Sequence, residues 1–269
     1  MNAPSRSAQI MHTKVLSPDD YVVLGESDFG SPGLTATEII GPFVPLQASG
    51  PLIMVHDAIV EANFGIGHHP HRYNERLFYI LVGSLSHDDA LNRITGVMNA
   101  GDVARLTEGE TGMLHKEWND TAERTRAFIL VYETSPVPEQ ASFAALRDAD
   151  APRYEEAPGV TTKELVGPRA DLPVNGDIRF FADAHLAAGS ELAVELAEGE
   201  GALLYPLEGE LTTGDGAEFR PGNTLLFPPA DGLRRIVVSA RTDARLLRVV
   251  HGPGRGLVIS ERTLTRRGG

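Results

Sequence analysis

The sequence predicts an all-β protein: two tandem β-barrels of jelly-roll type with few short helices. Three observations carry that expectation. Glycine (28) and proline (18) recur at short intervals along the 269 residues. Between them lie short runs rich in Val, Ile, Leu, Phe and Tyr, at 77–82, 127–132, 177–181, 202–207, 224–227, 235–238 and 245–250. Such runs, broken by turn residues every ten or so positions, read as a sandwich or barrel and not as a helix bundle. The third observation is an internal repeat. Phe78-Tyr79-Ile80-Leu81-Val82-Gly83-Ser84-Leu85, followed by Met98-Asn99-Ala100-Gly101-Asp102, is matched by Leu204-Tyr205-Pro206-Leu207-Glu208-Gly209-Glu210-Leu211 and then Phe219-Arg220-Pro221-Gly222-Asn223.

Taken in order, residues 1–147 form the first β-domain, 148–160 a linker and 161–269 the second β-domain. The polar stretch at 148–158, with Pro152 and Pro158, supplies the linker. The best helical candidate is 138–148, with Pro138 and Glu139 at its start. The basic, glycine-ended residues 262–269 are expected to be loose.

Composition narrows the function. The hydrophobic fraction is 42% and the charged fraction 23%, those of an ordinary globule. Cysteine is absent, which removes disulfides, thiolate zinc sites, iron–sulfur clusters and cysteine nucleophiles. With 24 Lys+Arg against 37 Asp+Glu the formal charge is −13, so nucleic acid and anionic lipid are repelled. No run approaches the ~20 apolar residues of a membrane span, and residues 1–11 contain no apolar stretch of signal-peptide length. A cytoplasmic address is expected.

Nine histidines occur, and five fall between 68 and 115. In a strand, residues i and i+2 share a face. His69 and His71 therefore look the same way, and Pro70 holds the backbone between them extended. His115 and Glu117 form a second same-face pair. Two such strands facing each other inside a barrel present three imidazoles and one carboxylate to a common point. That donor set, without sulfur, suits divalent iron, manganese, cobalt, nickel or copper, and zinc as well. The competing reading makes these ordinary surface or core histidines, and His12, His56, His68, His87, His185 and His251 are assigned that plain role.

The residues around these pairs resemble the two cupin motifs as pirins carry them. His69-Pro70-His71-Arg72, Glu75 and Tyr79-Ile80-Leu81-Val82-Gly83 resemble the first; Ala100-Gly101-Asp102, Thr107-Glu108-Gly109 and His115-Lys116-Glu117 resemble the second. The resemblance is specific over roughly residues 50–132. It implies a bicupin with one metal, usually iron(II), in the N-terminal barrel, held by His69, His71, His115 and Glu117. Counting equivalent steps in the second half reaches Glu195, Ala197, Ile236 and Val238, so no ligand set is expected there. Two departures stand out: Arg72-Tyr73-Asn74-Glu75 replaces the family's Arg-Gly-Phe-Glu, and His251-Gly252-Pro253-Gly254-Arg255 replaces His-Gly-Pro-Phe.

The resemblance implies a metal-dependent oxygenase similar to quercetin (flavonol) 2,3-dioxygenase. Its partners are a small planar hydroxy-ketone or phenolic substrate and dioxygen, with Glu117 as ligand and catalytic base. The alternative is a non-catalytic, iron- and redox-sensing regulator acting through a protein partner, and a third reading is Lewis-acid isomerisation or cyclisation. A monomer is expected. Around the site, Glu75 is expected to orient the imidazoles, Trp118 to pack in the core and Lys116 to point to solvent. The glycine-rich stretch 252–256 reads as a turn.

Overall fold

The computed structural model describes residues 13–260. The first half contains β1 (Lys14–Leu16), β2 (Val22–Leu24), a one-turn helix α1 (Glu26–Phe29), β3 (Leu34–Ile40), β4 (Leu46–Ser49), β5 (Leu52–Val60), β6 (Gly65–His71), β7 (Asn74–Val82), β8 (Ser84–Asp89), β9 (Ile94–Asn99), β10 (Val103–Thr107), β11 (Met113–Trp118), β12 (Thr125–Glu133) and β13 (Ser142–Leu146). The second half contains β14 (Arg153–Ala157), β15 (Val160–Val166), β16 (Ile178–Leu186), β17 (Glu191–Leu196), β18 (Gly201–Glu208), β19 (Leu211–Thr213), β20 (Glu218–Phe219), β21 (Thr224–Phe227), β22 (Arg234–Ala240), β23 (Ala244–His251) and β24 (Leu257–Ile259).

In the first half a large sheet, β13-β10-β7-β12-β5-β3-β2, faces a small one, β6-β11-β8-β9. The second half repeats this plan as β1-β21-β18-β23-β16-β15-β14 facing β17-β22-β19-β20. The all-β, two-barrel expectation holds. The repeat also shows at its turns: φ is +80° at Gly83 and +79° at Gly209, then +87° at Gly101 and +92° at Gly222. A Cβ on Gly83 would sit 2.7 Å from the Arg124 carbonyl, and one on Gly209 2.3 Å from that of Asp243. Only glycine combines that φ with so close an approach.

Three cores lie between the four sheets. Leu77, Tyr79, Phe128 and Leu130 of the first large sheet pack against Phe181, Leu203, Leu247 and Val249 of the second. The opposite faces of the same strands, with Phe78, Ile80 and Ala127, form the interior of the first barrel, and Ala184, Leu204, Leu246 and Val250 form that of the second. Central strands covered on both faces read as continuous apolar runs, which is why 77–82 and 127–132 show no alternation.

Each half lends a strand to the other. β1 pairs with β21 of the second half, β24 pairs with β4 of the first, and β13 closes the edge of β10. This corrects the helix expected at 138–148. Ser142–Leu146 pairs residue for residue with Val103–Thr107, and an edge that would otherwise stay unpaired outweighs the helical preference of Ala144 and Ala145. Arg153–Ala157, within the stretch expected as linker, is strand β14 on β15. His12 and residues 262–269 lie outside the described residues. Among the described residues no helix is long and apolar enough to cross a membrane.

Candidate metal centre

The small sheet of the first half carries the histidine pairs. On β6 and β11, His115 lies directly opposite His69, and Met113 opposite His71. A bulge separates His115 from Glu117, whose partner on β6 is Ile66. Bulges re-aim side chains beside functional sites. Here the displaced Gly67 carbonyl accepts from His69 Nδ1 at 2.8 Å. That fixes the tautomer and leaves Nε2 with a free lone pair.

The three imidazoles form a near-equilateral cluster, with ring centroids 4.7 Å apart for His69–His71, 4.6 Å for His69–His115 and 4.9 Å for His71–His115. Glu117 brings Oε1 to 2.8 Å from His115 Nδ1. The structure thus sets His69, His71 and His115 in one donor group and places Glu117 beside His115. A further histidine lies beside them. His87 on β8 is the cross-strand partner of Glu117, and His87, His115 and Glu117 form a second donor group overlapping the first, each group with its donor atoms within 4.8 Å of one another. His87 Nδ1 is 3.4 Å from His115 Nδ1, and its ring stacks on Phe143 at 5.5 Å. His87, given a plain role from the sequence, thus lies in a donor group with two of the residues singled out there. The alternation Leu85-x-His87-x-Asp89 marks its buried face, but only the pairing of β8 with β11 sets it against Glu117.

Two features suit the cluster to a cation. His71 Nε2, His87 Nε2 and His115 Nε2 are buried without a hydrogen-bond partner, a costly arrangement that a bound cation relieves. Burial also disfavours the charged form of three of these imidazoles. It lowers His69, lowers His71 to about 2 with help from the nearby Arg76 charge, and lowers His87 to about 4. Burial works to raise Glu117, but His115, His69 and Arg76 outweigh it and hold the carboxyl below its ordinary value. Neutral nitrogens beside an anionic oxygen are the protonation states that metal ligation requires.

His69, His71 and Glu117 open onto a cavity of about 280 Å³ inside the first barrel, walled by Leu34, Ala36, Ala58, Phe78, Ala127 and Ile129. Three alanines lie side by side, Ala36 opposite Ala58 and Ala58 opposite Ala127, so that part of the wall carries only methyl groups. Arg76 and His56 also reach this cavity. Arg76 is held by Glu108 at 2.8 Å.

Several neighbours depart from expectation. Glu75 does not orient the imidazoles: strand alternation turns it away from the cavity, where it accepts from Thr107 Oγ1 at 2.5 Å, Tyr132 OH at 2.8 Å and the Asn175 backbone N–H at 2.7 Å. The inward residue is its neighbour Arg76. Lys116 points outward near Asp88 as expected, and 252–256 is a turn with Gly254 and Gly256 at positive φ. His251 is a core histidine beside Ser49, and His68 and His185 are exposed. In the second barrel the partner of Ile236 is Val194, while Glu195 faces solvent. Aliphatic side chains thus fill the place that donors take in the first barrel, and both donor groups among the described residues lie in the first half.

Comparison with known proteins agrees with this geometry. The family model described as Pirin matches residues 26–131. A Pseudomonas aeruginosa protein, named provisionally as a quercetin 2,3-dioxygenase, is 31% identical over 212 residues, which cover 74% of this chain and 83% of that one. The chain belongs to the pirin family. A second P. aeruginosa protein with the same provisional name is 30% identical over 159 residues, and that match spans 55% of each chain. Among solved structures, the bacterial pirin YhhW of Escherichia coli in complex with nickel(II) superposes with a TM-score of 0.73 at 18% identity, covering 90% of this chain and 99% of that one. At that identity the likeness is one of fold.

Proposed function

We propose that this pirin is a metal-dependent oxygenase that cleaves a small planar hydroxy-ketone or phenol with dioxygen, in the manner of a flavonol 2,3-dioxygenase. One observation carries the reading: a cluster of imidazoles and a carboxylate, with buried ring nitrogens left without hydrogen-bond partners, opens onto an apolar cavity walled on one side by three alanines. The provisional name of the relative that is 31% identical points the same way.

His69, His71, His115 and Glu117 would hold one divalent first-row cation. Nitrogen and oxygen donors accept iron(II), manganese, cobalt, nickel, copper or zinc, and a solved pirin of this fold holds nickel(II). When bound, the cation supplies Lewis acidity that lowers the pKa of a substrate hydroxyl and, if redox-active, access to dioxygen. The protein's part is to bind and orient. Ala36, Ala58 and Ala127 give a planar ring a flat seat, Phe78 and Ile129 exclude water, and His69 and His71 face the open side. Glu117 is the anionic ligand and catalytic carboxylate; it takes a substrate proton only at an oxygen released from the cation.

The test is direct. Protein loaded in turn with iron(II), manganese, cobalt, nickel and copper is mixed with quercetin in air, and oxygen uptake is followed together with loss of the flavonol absorbance. Turnover that depends on the metal and disappears in His69→Ala supports the oxygenase. No oxygen uptake with any metal removes it, and a captured protein partner sensitive to iron oxidation state would then establish the regulator in its place.

A further inference from the structure

The cavity has a second polar element, remote in sequence from the cation ligands. His56 on β5 and Glu38 on β3 are direct cross-strand partners. His56 Nε2 lies 3.1 Å from Glu38 Oε2, and both residues are buried, Glu38 to 1% exposure. The carboxylate is built into the fold. Its other oxygen accepts from the Phe43 backbone N–H at 2.7 Å, and a Cβ on Gly41 would sit 2.3 Å from its carboxyl carbon, so glycine leaves the room it occupies.

A carboxylate offers only acceptors, so the proton of the neutral imidazole resides on Nε2 and Nδ1 keeps its lone pair. Among the described residues the His56 ring makes no other hydrogen bond, and His56 lines the same cavity as His69, His71 and Glu117. Its partner on the other side is Ile129 of β12, which is apolar. The remaining charged or titratable groups that face this space are Arg76 from β7, His69 and His71 from β6, and Glu117 from β11.

We infer that His56 is a further catalytic residue, the acceptor of the acidic hydroxyl proton of an enol or phenol bound in the cavity, with Glu38 as its positioning residue. This rests on the oxygenase reading for the reaction that follows, but the proton transfer stands apart from it. In the step, the substrate O–H bond breaks, its proton bonds to His56 Nδ1, and the oxygen keeps the electron pair as enolate or phenolate. The resulting imidazolium is stabilised by Glu38. No atom changes oxidation state, and Glu117 need not leave the cation.

The test uses protein stripped of metal with a chelator and 4-nitrophenol as probe, because the phenolate absorbs in the visible range and no cation is present to ionise it. At a pH where the free probe is mostly neutral, wild-type protein is expected to bind it as phenolate. In His56→Gln, which keeps a hydrogen-bond donor for Glu38, the probe stays neutral. Glu38→Gln lowers the phenolate fraction with binding retained. A phenolate band in His56→Gln equal to that of wild type, or a neutral probe bound by wild type, overturns the assignment. Should His56→Gln fail to fold, ¹⁵N spectra of the wild-type histidines decide: one imidazole must become doubly protonated on probe binding, and no such change overturns it. Oxygen uptake by the cation-loaded enzyme is read separately. Phenolate formation without oxygen uptake keeps His56 and removes the oxygenase. Oxygen uptake unchanged in His56→Gln removes His56 alone, whereas about a 10²-fold loss of kcat supports it.

Discussion

The hydroxyl of Tyr79 donates a 2.6 Å hydrogen bond to Oδ2 of Asp183, joining the first half of the chain to the second across the central core. Asp183 is also gripped by Arg245 of its own half at 2.7 Å. The same clamp recurs in reverse. Tyr205 donates at 2.7 Å to Asp57 Oδ2, which Arg126 holds at 2.6 Å. Tyr79 precedes Gly83, and Tyr205 precedes Gly209, by the same number of residues, so the internal repeat supplies both clamps. Each half offers a tyrosine to the other's Asp–Arg pair. A hydrogen bond to a charged partner contributes about 1.5–3 kcal/mol. Since each aspartate keeps its arginine, Tyr79→Phe and Tyr205→Phe are expected to cost about 1–2 kcal/mol each. Urea unfolding of the singles and the double checks this; the two losses should add, because the clamps share no partner.

His87 predicts a change in metal affinity. It faces Glu117 across the strands and touches His115, so it sets the posture of both. Partners that orient ligands typically contribute 10–100-fold to affinity. His87→Phe, which preserves an aromatic ring against Phe143, is expected to weaken cation binding by about that factor. His69→Ala or His115→Ala should bring the metal content measured by elemental analysis close to zero. Equal metal content and affinity in His87→Phe would show that His87 only packs.

How far the centre was legible depended on range. His69 with His71 and His115 with Glu117 share a face by strand periodicity alone, and that much is local. Arg76 was equally local, but the apolar run on both sides of it hid which face was the cavity. His87 required the register of β8 on β11, and the His56–Glu38 pair required that of β5 on β3, information no window of sequence contains. The repeat disclosed the two barrels for the opposite reason: its turn glycines repeat as a pattern. Ser142–Leu146 misled because its alanines suit a helix, while the unpaired edge of β10 that recruits it is distant in sequence.

Acid should destabilise the metal-free protein. Burial lowers His71 to about 2 and His87 to about 4, against an ordinary value of 6.5 in the unfolded chain. Below pH about 6.5 the unfolded chain therefore binds protons that the folded protein refuses, and stability falls as pH falls. The contribution is fully present above 6.5. His87 stops adding to the slope near pH 4, whereas His71 continues to about 2. Glu117, lowered by its surroundings, acts in the same sense at lower pH. Thermal unfolding of apo protein between pH 7.5 and about 5 should show a falling Tm, with a shallower fall in His87→Phe. A loaded cation replaces the proton at these nitrogens, so the loaded protein should hold its Tm further into acid.

The alanine wall allows the ligand cavity to be separated from the cation site. Ala58 lies between Ala36 and Ala127 and faces the cavity. In a fully packed core, Ala58→Leu would force neighbours apart and cost about 1–3 kcal/mol. Here the added carbons enter open volume of about 280 Å³, so stability should hold or rise, as cavity-filling changes commonly do by about 0.5–2 kcal/mol. Ring binding should suffer, since the branched side chain stands where the flat seat was. The variant is expected to keep its metal content and Tm while quercetin affinity, followed by fluorescence quenching, drops at least tenfold. Unchanged affinity would place the ligand elsewhere, and a lowered Tm would mean that the barrel closes over this volume in solution.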